Sequence, residues 1–196
     1  MNKKVHPLKH PDQRVGVFID VQNMYYSAKN LFSQKVNFGN IVKEGTAGRK
    51  LIRAMAYVVS TESKEEQPFF DALYNQGIET REKPLQIFYG GEKKGDWDVG
   101  LTVDAIRLSP SVDAVIIVSG DGDYVPLVEY LRNQGKQVEV MAFGETASSN
   151  LIAAADDFID LSQAKDKFLI WDRRYATRTT LKQKNTKPPV APPATM

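Results

Sequence analysis

Val15-Gly16-Val17-Phe18-Ile19-Asp20 is a short apolar run that stops at a carboxylate, and Ala114-Val115-Ile116-Ile117-Val118-Ser119 repeats the pattern before Gly120-Asp121-Gly122-Asp123. Continuous rather than alternating hydrophobicity describes a strand buried on both faces, as in a parallel sheet covered by helices. Outward from these two runs, further strands are expected over residues 51–60, 78–82, 86–89, 137–143 and 158–161. Helical periodicity and stop signals place helices over 23–32, 65–75, 98–108 and 124–133, with a short one at 151–155. Gly90-Gly91-Glu92-Lys93-Lys94-Gly95 reads as a loop. Strands alternating with helices of about ten residues argue for βαβ units, an α/β fold with a mainly parallel central sheet flanked by helices.

The 196 residues, 42% of them hydrophobic and 26% charged, suit one soluble domain with a tail. There is no cysteine, which excludes disulfides, thiolate metal sites and cysteine nucleophiles. His6 and His10 are the only histidines, and prolines break the segment that carries them. A Ser-His-Asp hydrolase or a two-histidine ribonuclease is therefore excluded in practice. No apolar run reaches the ~20 residues of a membrane span, so a cytoplasmic protein with no membrane partner is expected.

Three regions follow: a flexible leader over 1–13, a domain over 14–162, and a basic extension over 163–196. The extension carries eight Lys and Arg against Asp166 and Asp172, a net +6, whereas residues 1–162 are net −4. Trp171 reads as the last buried anchor, and Pro188-Pro189 with Pro192-Pro193 forbid a helix beyond it. A mildly acidic body with a basic arm suggests an anionic partner met through the arm.

The acidic residues gather where strands end. Asp20 closes the first run, Asp121 and Asp123 follow the second, and Asp98 opens a helix after the Gly/Lys loop. Ligands of open parallel sheets sit outside the carboxyl ends of the strands. If the two strands are neighbours, these carboxylates crowd one rim and repel each other unless a cation joins them. Oxygen donors without His or Cys favour Mg²⁺ or Mn²⁺. Gly120 and Gly122 would let the backbone turn tightly there. Each aspartate could equally be a helix N-cap. Redundancy tilts the balance, since Asp96 with Asp98 and Asp121 with Asp123 double up at one helix start each. Asp104 lies six residues after Asp98, on another helix face, and suits a supporting role. Trp97 and Tyr124 either stack on bases or pack in the core. Gly120-Asp121-Gly122-Asp123 is no dinucleotide fingerprint, because Val125 stands where the third glycine belongs.

Phe18-Ile19-Asp20-x-x-Asn23, Lys94-Gly95-x-x-Asp98-x-x-Leu101-x-x-Asp104, Ser119-Gly120-Asp121-Gly122-Asp123-Tyr124 and Ala154-Ala155-Asp156-Asp157-Phe158-Ile159-Asp160-Leu161 together resemble the NYN domain over residues 14–162, and within it the bacterial LabA-like branch. The resemblance implies a PIN-like, Rossmann-type three-layer fold and a metal-dependent ribonuclease site. Asp20, Asp98, Asp121 and Asp123 match the acidic positions of that site, and Asn23, Lys94, Ser119 and Asp104 its supporting polar positions.

Two functions are compatible with this reading. In the first, the chain is an endoribonuclease whose Asp20, Asp98, Asp121 and Asp123 hold Mg²⁺ or Mn²⁺, with Asn23 and Ser119 orienting ligands and Lys94 pairing with a phosphate. In the second, it is a non-catalytic regulator of gene expression that binds RNA, or a protein partner through the basic tail. The first accounts for the clustered carboxylates, from which a binding-only RNA site gains nothing. Either way a monomer or homodimer is expected.

Overall fold

The computed structural model describes residues 8–60, 66–87, 93–94 and 97–171, with the side chains at 86, 87, 93 and 94 outside the description. Six strands form one sheet: β1 (Arg14–Asp20), β3 (Lys50–Ser60), β4 (Glu79–Pro84), β7 (Ala114–Val118), β8 (Gln137–Ala142) and β9 (Asp157–Asp160). Their order is β4-β3-β1-β7-β8-β9 and every pairing is parallel. In order of appearance among these six, that is 3-2-1-4-5-6, the doubly wound arrangement, and its switch point lies between β1 and β7. Both central strands are buried along nearly their whole length, as their unbroken apolar runs require.

Side chains alternate across the sheet and build two cores. On one face Val17, Ile19, Ala54, Ala56, Ile116 and Val118 meet the helices α1 (Val21–Phe32), α2 (Phe38–Thr46) and α3 (Gln67–Asn75). On the other, Phe18, Met55, Tyr57, Val115 and Ile117 meet α4 (Asp98–Leu108), α5 (Val125–Asn133) and α6 (Ser149–Ala154). The result is the three-layer α/β architecture read from the sequence. Asp20, Tyr57 and Ser119 continue the second face at the carboxyl edge, each two residues beyond a core side chain. Tyr57 stands opposite Asp20 because β3 carries an extra residue near Ile52, where the pairing shifts from Val15↔Leu51 to Gly16↔Arg53.

Several elements differ from expectation. Helix α2 and the two-residue strands β2 (Lys35–Val36) and β10 (Leu169–Ile170) were not foreseen. In α2, Phe38, Ile41, Val42 and Gly45 face inward at helical spacing. A Cβ on Gly45 would lie 2.9 Å from Met141 Sδ and 3.1 Å from Ile116 Cδ1, so the glycine lets the helix sit close on the sheet. Within the expected loop at 90–95, Lys93–Lys94 form β6, paired with β5 (Gln86–Ile87); residues 88–92 and 95–96 lie outside the described residues.

Residues 8–13, the described part of the leader, are tied to the body. Lys9 Nζ lies 2.9 Å from Glu139 and 3.2 Å from Asp157. Glu139, fully buried, also pairs with the Arg49 guanidinium at 2.6 Å. Arg49 alone leaves these two carboxylates one positive charge short, and Lys9 supplies it. The first part of the basic extension is likewise structured. It forms α7 (Lys165–Phe168) and β10, which pairs with β2. Among the described residues its last buried anchors are Phe168 and Leu169, not Trp171, which is 60% exposed. No helix among the described residues is long and apolar enough to cross a membrane.

Candidate metal centre

The carboxyl ends of β1 and β7 place Asp20 and Ser119 side by side at the switch point. Asp20 is the last residue of β1 and the N-cap of α1 at once. Its Oδ1 accepts the Asn23 backbone N–H at 3.0 Å, while Oδ2 accepts the Ser119 hydroxyl at 3.2 Å and lies 3.4 Å from the Tyr124 hydroxyl. Asp121 similarly caps the turn that follows β7, its Oδ1 accepting the Asp123 N–H at 3.0 Å. Capping and a place at the rim are therefore not alternatives for Asp20, because its two oxygens divide the tasks. Asp98 opens α4 without capping it, and its Oδ1 accepts the Tyr124 hydroxyl at 3.0 Å.

Asp98, Asp121 and Asp123 each present a carboxylate oxygen within 4.8 Å of the others. Asp20 is not one of this trio but joins it through the Tyr124 hydroxyl, which spans Asp98 and Asp20. Burial pushes the Asp20 carboxyl from an ordinary 3.8 up to about 6. The Asn23 N–H opposes that shift and the charge of Asp98 adds to it. Tyr124 is held firmly protonated, first by burial and then by the Asp20 and Asp98 charges. The donor set consists of oxygens alone, which fits a hard cation such as Mg²⁺ or Mn²⁺.

Around the carboxylates lies a cleft of about 400 Å³ lined by Asp20, Asn23, Tyr26, Tyr57, Trp97 and Thr146, among others. Asn23 Oδ1 accepts the Gly120 N–H at 3.0 Å, fixing the β7 loop against α1. Gly120 and Gly122 are not in the left-handed region. Gly120 is needed for close approach instead: a Cβ there would lie 3.0 Å from the Ala147 Cα, where the next loop crosses. Asp104 does not reach the trio. It accepts the Tyr57 hydroxyl at 3.1 Å, and Tyr57 lines the cleft. Lys94 lies in β6, its side chain outside the described part, and Asp96 is outside it altogether.

Tyr124 offers no face for bases, and Trp97 is anchored in the cleft wall. Tyr124 is fully buried, and Trp97 packs edge-on against Tyr57 with its indole N–H donated to the Val58 carbonyl at 2.9 Å. The hydroxyls of Tyr124 and Tyr57 are the contributions that sequence reasoning missed. The only signal was position: Tyr124 directly follows Asp123, and Tyr57 ends an apolar strand.

The fold is shared with known proteins. The chain is 24% identical to the low amplitude and bright protein LabA of Synechococcus elongatus over 161 residues, 78% of this chain and 86% of that protein. It is 26% identical to an uncharacterized protein of Methanocaldococcus jannaschii over 159 residues, spanning 57% of that longer relative. A protein of unknown function from Vibrio parahaemolyticus superposes with a TM-score of 0.75 at 33% identity, over 84% of this chain and all of the other. Residues 14–162 match the NYN domain, a span that runs from the first residue of β1 past the last strand of the main sheet and takes in all four rim aspartates. By that match the chain belongs to the NYN domain family.

Proposed function

We propose that this NYN domain is a divalent-metal-dependent endoribonuclease that hydrolyses RNA phosphodiester bonds. The reading is carried by one observation: three carboxylates converge within 4.8 Å at the switch point of the sheet. Asp20 stands beside them, buried and linked to Asp98 by a shared hydroxyl. Such a group repels itself and repels RNA, and a cation removes both costs. When bound, Mg²⁺ or Mn²⁺ supplies an activated water and neutralises charge on the phosphoryl group.

Asp98, Asp121 and Asp123 would hold that ion, with Asp20 completing the set. The protein's own task is to keep the oxygens in place. Ser119 and Tyr124 fix the Asp20 and Asp98 carboxylates by their hydroxyls. Asn23 locks the loop that carries Asp121, and Asp104 steadies Tyr57 on the cleft wall. Lys94 and the basic residues after 171 bring positive charge to the phosphates. The test is direct: structured and unstructured RNAs incubated with Mn²⁺, Mg²⁺ or EDTA. Internal cleavage with the ions and none in EDTA is expected. RNA bound but uncut under every condition would overturn the reading in favour of a binding-only regulator.

A further inference from the structure

The carboxylate cleft continues beyond the aspartates. Its wall residues Gln22, Tyr26 and Val59 also line a second recess of about 500 Å³, whose other walls include Tyr25, Phe69 and Phe70. Both hollows open at the same edge, where β3 ends and α1 begins. Tyr25 and Tyr26 are 39% and 50% exposed, with ring centroids 5.3 Å apart, so each keeps surface to offer a ligand. Lys29 Nζ stands 5.2 Å from the Tyr25 ring centroid, placing a cation at the outer side. Among the described residues that line it, the charged ones are Lys35 and Glu66, whose charges cancel.

We propose that this recess receives an unpaired nucleobase of single-stranded RNA whose neighbouring phosphate lies in the carboxylate cleft, with Tyr26 as the stacking residue. The inference rests on the ribonuclease reading of the cleft and adds its substrate class. A neutral, apolar hollow with aromatic walls selects a planar uncharged group and not a phosphate. The three shared wall residues place that group directly beside the carboxylates, as the base attached to a bound backbone must be. A stacked base of a duplex cannot enter without first leaving the helix, so the recess discriminates against double strands. An apolar side chain of a protein would fill the hollow too, but would leave its continuity with the acidic cleft without a purpose.

Binding is read with Ca²⁺ in place of Mg²⁺ or Mn²⁺, so that the carboxylates are neutralised, by fluorescence anisotropy of a labelled mixed-sequence RNA of about ten nucleotides whose intactness is checked on a gel. The proteins are the full chain, Tyr26→Ala, Tyr26→Phe and the double variant Tyr25→Ala/Tyr26→Ala. Both tyrosines are partly exposed on α1, so the alanine variants keep the fold, which circular dichroism checks. Tyr26→Ala is expected to weaken binding about tenfold, the double variant more, and Tyr26→Phe less than about twofold, since stacking needs the ring and not the hydroxyl. The same RNA annealed to its complement should bind more weakly than the single strand. Unchanged affinity in the double variant, equal binding of duplex, or no binding by the wild type would each overturn the proposal. So would a dimer that the double variant dissolves, which gives the recess to a second copy of the chain. Cleavage of the same RNA with Mn²⁺ is scored separately. Its absence alongside the tyrosine effects would sink the ribonuclease reading and leave the base site standing.

Discussion

The Tyr124 hydroxyl donates to Asp98 Oδ1 at 3.0 Å and lies 3.4 Å from Asp20 Oδ2. A hydroxyl has one proton and cannot serve two carboxylates together. The pair is satisfied when Asp20 carries a proton or when a cation lies between the two acids. We expect Tyr124→Phe to cost only about 1 kcal/mol of stability, the net worth of one buried hydrogen bond. Cleavage and divalent-ion affinity should fall about 10- to 100-fold, as when a residue that orients a ligand is lost. Initial rates with Mn²⁺, together with a thermal melt, check both halves; a variant with wild-type rates would remove Tyr124 from the site.

Asp20 takes up its proton near pH 6 when folded, against 3.8 ordinarily. The folded state therefore binds more protons through that window, so this group's stabilising contribution is complete below 3.8 and lost as pH rises through 6. About 2 units at 1.36 kcal/mol each gives a penalty of up to about 3 kcal/mol at neutral pH. Asp20→Asn keeps the α1 cap and removes the charge, so it should melt several degrees above the wild type at pH 7 without divalent ions. At pH 4 that gap should close. A gap that persists at pH 4 would contradict the assignment.

Asp121→Asn is expected to abolish cleavage while leaving the far-ultraviolet spectrum unchanged, because the amide oxygen can still cap the turn at Asp123. Mn²⁺ should raise the melting temperature of the wild type and not of this variant. Wild-type turnover in the purified variant would sink the ion-binding assignment.

At the opposite edge of the sheet, Glu139 and Arg49 are both fully buried, and Lys9 closes the cluster. Removing one partner of such a pair strands the other, so Glu139→Ala should cost about 3–5 kcal/mol, lowering the melting temperature by about 10 °C. Enough folded enzyme at low temperature should still show the wild-type kcat. A melt within error of the wild type would show that water already solvates this cluster.

On the proposed reading, the basic residues after 171 are expected to set the salt dependence of RNA binding. A chain ending at Asp172 loses Arg173, Arg174, Arg178, Lys182, Lys184 and Lys187. If all six meet phosphates, the slope of log affinity against log salt should flatten by up to about 5, at ~0.7–0.9 per contact. Folding should be unaffected, since Phe168 and Leu169 remain as buried anchors. An unchanged slope would make the arm a bystander.

The central strands and their terminal aspartates were legible because burial on both faces leaves unbroken apolar runs, and because carboxylates at strand ends have few structural uses beyond capping. Helix α2 was hidden by Gly39 and Gly45, which lower helix propensity while serving tight packing that no local pattern reveals. The β2–β10 pair involves two residues on each strand, far apart in sequence, and such pairing has no periodicity to detect. Tyr124 read as core or stacking because an aromatic ring carries no local mark of what its hydroxyl will touch. Lys9 lay in a segment without apolar pattern, and its place follows from a buried charge more than a hundred residues away.

The single extra residue near Ile52 carries more weight than its exposed position suggests. Side chains of a strand change face with every residue, so a pairing that ran on from Val15↔Leu51 without this shift would bring Ala56 opposite Asp20 and turn Tyr57 to the far side of the sheet. The cleft would lose a wall and Asp104 its hydroxyl donor, with none of the four aspartates touched. A one-residue slip of β3 against β1 would thus silence this rim, and an intact set of acids would not reveal it.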